Sequence, residues 1–115
     1  MKQEAHISDC IEACMHRGIR IVRGPLFDWC GGDGITPVAC DATGAVLYVH
    51  KLERSTQIVT DLSRILDVTE FWLYLFWLGF DRNHQVWVTD DKGKPIRPDE
   101  TCRLGITLAK RYAKL

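Results

Sequence analysis

The chain has 115 residues, 46% hydrophobic and 26% charged, with a formal net charge of +0. That is enough for one domain with its own core, near the averages for soluble globular proteins, and no whole-molecule field draws it to nucleic acid or anionic lipid. Basic residues gather after Lys92 (Lys94, Arg97, Arg103, Lys110, Arg111, Lys114), but Asp90, Asp91, Asp99 and Glu100 soften the imbalance. Five cysteines at spacings that match no disulfide framework, and a start, "MKQEAHISDC", without an apolar leader core, lead us to expect reduced thiols in the cytoplasm. The apolar run "FWLYLFWLGF" covers ten residues, against roughly 20 for a membrane-crossing helix, so no membrane role is expected.

Ile7, Cys10, Ile11, Cys14 and Met15 recur at helical spacing, with Ser8 placed to cap and Gly18 to stop the helix. "IRIV" reads as a short strand ending at Gly24-Pro25. "TPVAC" and "AVLYVH" read as two strands around a hairpin turn at "DATG", with Pro37 at a strand start or edge. Val59, Leu62, Ile65 and Leu66 stripe a helix over Thr56 to Leu66, and Thr69-Glu70 open another that ends near Gly79. "QVWVTDDKGKPIR" reads as strand, turn and return strand. Pro98, Asp99 and Glu100 open a last helix whose basic end holds Lys110, Arg111 and Lys114. The sum is a single α+β domain over 1–115, an antiparallel sheet of about four to five strands packed against about four helices.

The helix pair over 56–79 resembles a helix-turn-helix. Leu62, Leu66, Val68, Leu73 and Phe76 fall at its packing positions, with Ser63 at the small one. The pair departs from the motif where the motif works: Asp67 stands where glycine is usual, and the second helix offers Phe71, Trp72, Tyr74 and Trp77 where base readers carry Arg, Lys, Asn or Gln. Two packed helices are therefore expected, without DNA binding, and a protein-contact adaptor is a third-ranked alternative.

That second helix has no polar side. Each buried ring removes about 150–250 Å² from water, roughly 4–6 kcal/mol at about 25 cal/mol/Å², so the helix is expected to be covered all round. Cover comes from the chain itself, from a homodimer interface using Phe71, Trp72, Leu75, Phe76 and Trp77, or from a small-molecule pocket walled by these rings.

The loop "DWCGGDG" holds the other candidates. Trp29, Cys30, Gly31, Gly32 and Asp33 can border a ligand, the glycines allowing close backbone approach. Cys30 is the weak candidate for catalysis, with His50 and His84 as possible bases, but Asp28 and Asp33 nearby disfavour a thiolate. Cys10 and Cys14, with His6 a turn earlier, share a helix face; core packing explains that spacing, and no metal or other cofactor is expected. Asp41, Asp90 and Asp91 read as acceptors for turn backbone. The expected function is a small self-associating binding protein with a pocket near Trp29–Gly34. The alternative is a small enzyme using Cys30 or a loop carboxylate.

Overall fold

Helix α1, Lys2–His16 in the computed structural model, buries Ile7, Cys10, Ile11 and Cys14 along one stripe. Residues 2–113 are described, so Lys114, expected at the end of the last helix, lies outside them. The helix starts well before Ser8, which sits inside it and caps nothing. Gly18, at φ +80°, ends it as its position requires: the Gly18 amide reaches the Met15 carbonyl and the Ile19 amide the Cys14 carbonyl.

Three two-residue strands follow: β1 (Arg20–Ile21), β2 (Phe27–Asp28) and β3 (Ala39–Cys40). β3 lies in the middle, parallel to β1 and antiparallel to β2, with Cys40 opposite both Ile21 and Phe27. β4 (Trp87–Thr89) and β5 (Pro95–Pro98) form a separate antiparallel hairpin. One sheet of four to five strands is therefore replaced by two small ones, the first of them mixed.

The main departure lies between the sheets. "AVLYVH" does not form a strand, and "DATG" is not a hairpin turn; Ala42–Val49 is helix α2, and Asp41 is its N-cap, accepting from the Gly44 amide. Every residue from Ala42 to Leu47 is buried. A helix enclosed on all sides shows no amphipathic period, so its apolar run cannot be told from a buried strand by pattern alone.

α3 (Ile58–Leu66) and α4 (Glu70–Phe80) join through Asp67, which takes the left-handed conformation usual for glycine at that turn. Aspartate tolerates it better than most residues. Leu62, Leu66, Leu73 and Phe76 are buried, and Val68 packs against them. α5 (Glu100–Leu108) starts at Asp99, whose carboxylate accepts from the Thr101 and Cys102 amides, and its end widens into a π-helical turn over Ala109–Ala113. The domain is α+β with five α-helices among the described residues, and none of them is long and apolar enough to cross a membrane.

α4 is the spine. Trp72 stacks on Phe76 and Phe76 on Phe80, with ring centroids 5.4 and 5.8 Å apart, so three rings four residues apart form one column. The helix is not covered all round: Phe71 is 67% and Tyr74 58% exposed. Its far side meets α5 with backbone on backbone. A Cβ on Gly79 would lie 2.1 Å from the Cys102 carbonyl oxygen, and one on Gly105 would lie 2.5 Å from that of Phe76. Glycine to alanine inside a helix ordinarily stabilises by about 1 kcal/mol. Gly79→Ala reverses that sign, because the helices must separate. We expect a loss of about 1–3 kcal/mol or more, read as a lower urea midpoint; a neutral or stabilising result would mean that the helices are not this close.

Candidate functional site

A cleft of about 590 Å³ is lined by Gly24, Leu26, Asp41, Ile58, Tyr74, Trp77, Leu78, Asp81 and Arg82. That is the size range of small-molecule sites. Four segments build it. Asp41 comes from the start of α2, Ile58 from the first residue of α3, and Tyr74, Trp77 and Leu78 from one side of α4. Gly24 and Leu26 belong to the turn between β1 and β2. That turn is tied to the end of α4 twice: the Arg23 Nε–H donates to the Phe80 carbonyl at 2.7 Å, and the Gly24 amide to Asp81 Oδ1 at 3.2 Å.

The Leu26 carbonyl presses on the first turn of α2, 2.1 Å from where a Cβ on residue 44 would sit. Glycine is thus required at the position whose amide Asp41 caps.

Asp41 is 2% exposed. Its Oδ1 accepts from the Gly44 amide at 2.7 Å and from the Thr43 hydroxyl at 3.0 Å. That hydroxyl in turn accepts from the Trp77 indole N–H at 2.9 Å. The chain of bonds runs from a cleft wall through Thr43 to Asp41 and locks the indole in place. The Asp41 and Asp81 carboxyls lie close enough to act on one another directly.

Two carboxyls in contact cannot both be ionised cheaply. Burial, then the neighbouring Asp81 charge, holds Asp41 well above the usual carboxylate range, against the pull of Gly44 and Thr43. Burial also pushes Asp81 up, while the Gly24 amide, Asp41 and the guanidiniums of Arg23 and Arg82 oppose it. Asp41, the more deeply buried of the two, is the one favoured to hold a proton beside Asp81, and the pair titrates as one unit. The cleft floor therefore offers Asp81 as an acceptor, backed by the buried Asp41.

The residues expected at the site are distributed differently. Trp77 lines the cleft, whereas Trp29, Cys30, Gly31, Gly32 and Asp33 do not. Their loop is closed on itself. The Arg54 guanidinium lies 4.8 Å over the Trp29 ring and donates to the Gly34 carbonyl, and Trp29 also meets Phe27. Asp33 accepts from the Ile35 and Thr36 amides, which hold its carboxyl below the usual range. Cys30 is exposed, its amide bonded to Asp28. His50, weighed as its base, instead contacts His6. The other four cysteines are buried free thiols; burial pushes Cys10 up to about 11 and raises Cys102, while the contact with Cys14, and then burial, raises Cys40. Of the interface candidates, Phe71 is exposed, Trp72 and Trp77 are half-buried, and Leu75 and Phe76 are buried within the chain.

Asp81 is not among the residues that the sequence points to, and Asp41 reads there only as a turn acceptor. The two are far apart in sequence and are brought together by tertiary structure. The available signal was Asp81 itself, an acid set directly against the end of an apolar helix.

The pair leaves a mark on stability. A carboxyl whose folded pKa is raised stabilises the fold fully below its unfolded pKa and loses that contribution as pH rises through the folded value. Asp41→Asn keeps the cap and removes the titration. We expect the variant to gain on the unaltered protein as pH climbs from about 4, where unfolded aspartate titrates, toward neutrality. Urea unfolding across that range checks this; parallel profiles would refute it. Comparison with family models, with curated proteins and with solved structures finds no match for this chain, so the cleft is read from its own chemistry.

Proposed function

We propose that the protein binds a small, flat heteroaromatic molecule in the cleft between α4, α2 and the β1–β2 turn. The single observation behind this reading is the Asp41–Asp81 pair at the floor of a cleft walled by Trp77, Tyr74, Leu78, Ile58 and Leu26. Aromatic and aliphatic walls give contact area, and a few fixed polar groups give orientation. A donor on the ring edge, such as an exocyclic amine, pairs with Asp81, the ring face lying against the indole and phenol. Arg82, exposed at the rim, suits an anionic substituent.

The ligand seat thus moves from the Trp29–Gly34 loop to the cleft, while the class of function expected from the sequence, binding by a small domain, is kept. Proton transfer is the second reading. A carboxyl that holds its proton beside one that accepts it is the arrangement used for acid–base work.

Self-association belongs to the same proposal. Phe71 and Tyr74, three residues apart and both exposed, leave apolar ring surface beside the cleft. A second copy is the partner we propose for it. Phe71→Glu then lowers the sedimentation coefficient; a monomer for the unaltered protein at all concentrations ends this part.

Binding is tested with 2-aminopyridine and adenine as probes and toluene as the control without a polar edge. We expect the Trp77 indole N–H resonance to shift with the first two. We also expect Asp81→Asn to weaken their binding by about tenfold, the effect of one lost hydrogen bond to a charged group. Equal response to toluene, or no response to any of the three, contradicts the reading. Consumption of a bound probe would favour the proton-transfer reading.

A further inference from the structure

A second constellation lies away from the cleft, where α1 meets the end of α2. His6 and Cys10 are four residues apart and share a face of α1. His50, the C-cap of α2, reaches across to them, where the chain leaves the helix through Lys51 at φ +62°. The ligand atoms of His6, Cys10 and His50 all lie within 4.8 Å of one another, and the two Nε2 atoms are 3.0 Å apart. Two imidazole nitrogens on a tetrahedral zinc ion are about 3.3 Å apart, and a nitrogen and a thiolate sulfur about 3.5 Å, from bond lengths of about 2.0–2.1 and 2.3 Å.

We propose that His6, Cys10 and His50 form a binding site for a zinc-class divalent ion. Two imidazoles and one thiolate are a borderline-soft donor set, which disfavours magnesium and calcium and suits zinc. Three protein ligands leave a fourth position for water or an exogenous ligand, the open form of zinc site. The burial gradient fits that arrangement. Cys10 is buried, His6 is half-buried and His50 is exposed, so the sulfur forms the floor and the open position faces solvent. Rotation of the exposed His50 ring supplies the small adjustment from the present spacing. The three ligands come from two elements that the core already packs together, so the fold holds them close without the ion.

The sequence presents only half of this site. His6 and Cys10 are visible at helical spacing, but the third ligand depends on α2 being a helix that ends at residue 50. The competing account of the same geometry is a plain His6–His50 hydrogen bond, with Cys10 as core packing.

Untagged protein carrying Cys30→Ser, which removes the exposed thiol, is titrated with Co²⁺ and then with Zn²⁺. We expect saturable binding of one Co²⁺ per chain, with a thiolate-to-cobalt charge-transfer band and tetrahedral visible bands, both displaced by Zn²⁺. Cys10→Ser abolishes the charge-transfer band. His50→Ala, at an exposed position, lowers Zn²⁺ affinity by about tenfold or more with the circular dichroism spectrum unchanged. Should Cys10→Ser fail to fold, the His50→Ala comparison and the charge-transfer band of the parent still decide the matter. Zn²⁺ affinity unchanged in His50→Ala, or Co²⁺ bound without a charge-transfer band, overturns the proposal.

Discussion

The burial of the Asp41 carboxyl is the constraint on which the rest of the structure turns. This one side chain ends β3, caps α2 through the Gly44 amide, and receives the Thr43 hydroxyl that anchors Trp77. It thereby joins the small mixed sheet, the enclosed helix and the aromatic helix at a single point. A buried carboxylate with no cation against it is costly. Burial raises the Asp41 carboxyl and so favours its protonated form, in which the contact with Asp81 is attractive where two charges would repel. The feature that defines the candidate site and the one that starts α2 are therefore the same atoms.

α4 carries both structure and site, on different sides. Its Trp72–Phe76–Phe80 column fills the core, and Gly79 lets α5 approach backbone to backbone. Tyr74, Trp77 and Leu78 form cleft wall, and Asp81 closes the helix beside Asp41. A wall mounted on a helix this tightly packed is preorganised, which lowers the ordering cost of binding. Tyr74 is the exception, being largely exposed, and is free to adjust to an occupant.

Much of the scaffold was legible in the sequence because its signals are local. Gly18 stops α1, Thr69 caps α4 and Asp99 caps α5, each where its residue type implies. Asp90 folds the β4–β5 turn over Gly93 by accepting from Lys92 and Lys94. α2 was illegible for the opposite reason. Its residues are apolar on every side, and "DATG" serves equally as a hairpin turn or as a cap followed by a first helical turn; the Leu26 carbonyl against Gly44 settles which. The site was harder still. Asp41 and Asp81 are forty positions apart, and no spacing rule links an N-cap to the end of a helix two elements later. The "DWCGGDG" loop drew the eye by composition, yet its polar groups are spent on its own turns and on Arg54.

The central claim is that one proton is held between Asp41 and Asp81 at neutral pH, and side-chain ¹³C carboxyl NMR of the folded protein reads it directly. The account predicts that the Asp41 carboxyl carbon keeps the chemical shift of a protonated acid at neutral pH and moves together with that of Asp81 when titrated. An Asp41 signal that titrates alone, in the ordinary aspartate range of about 3.9, would contradict it.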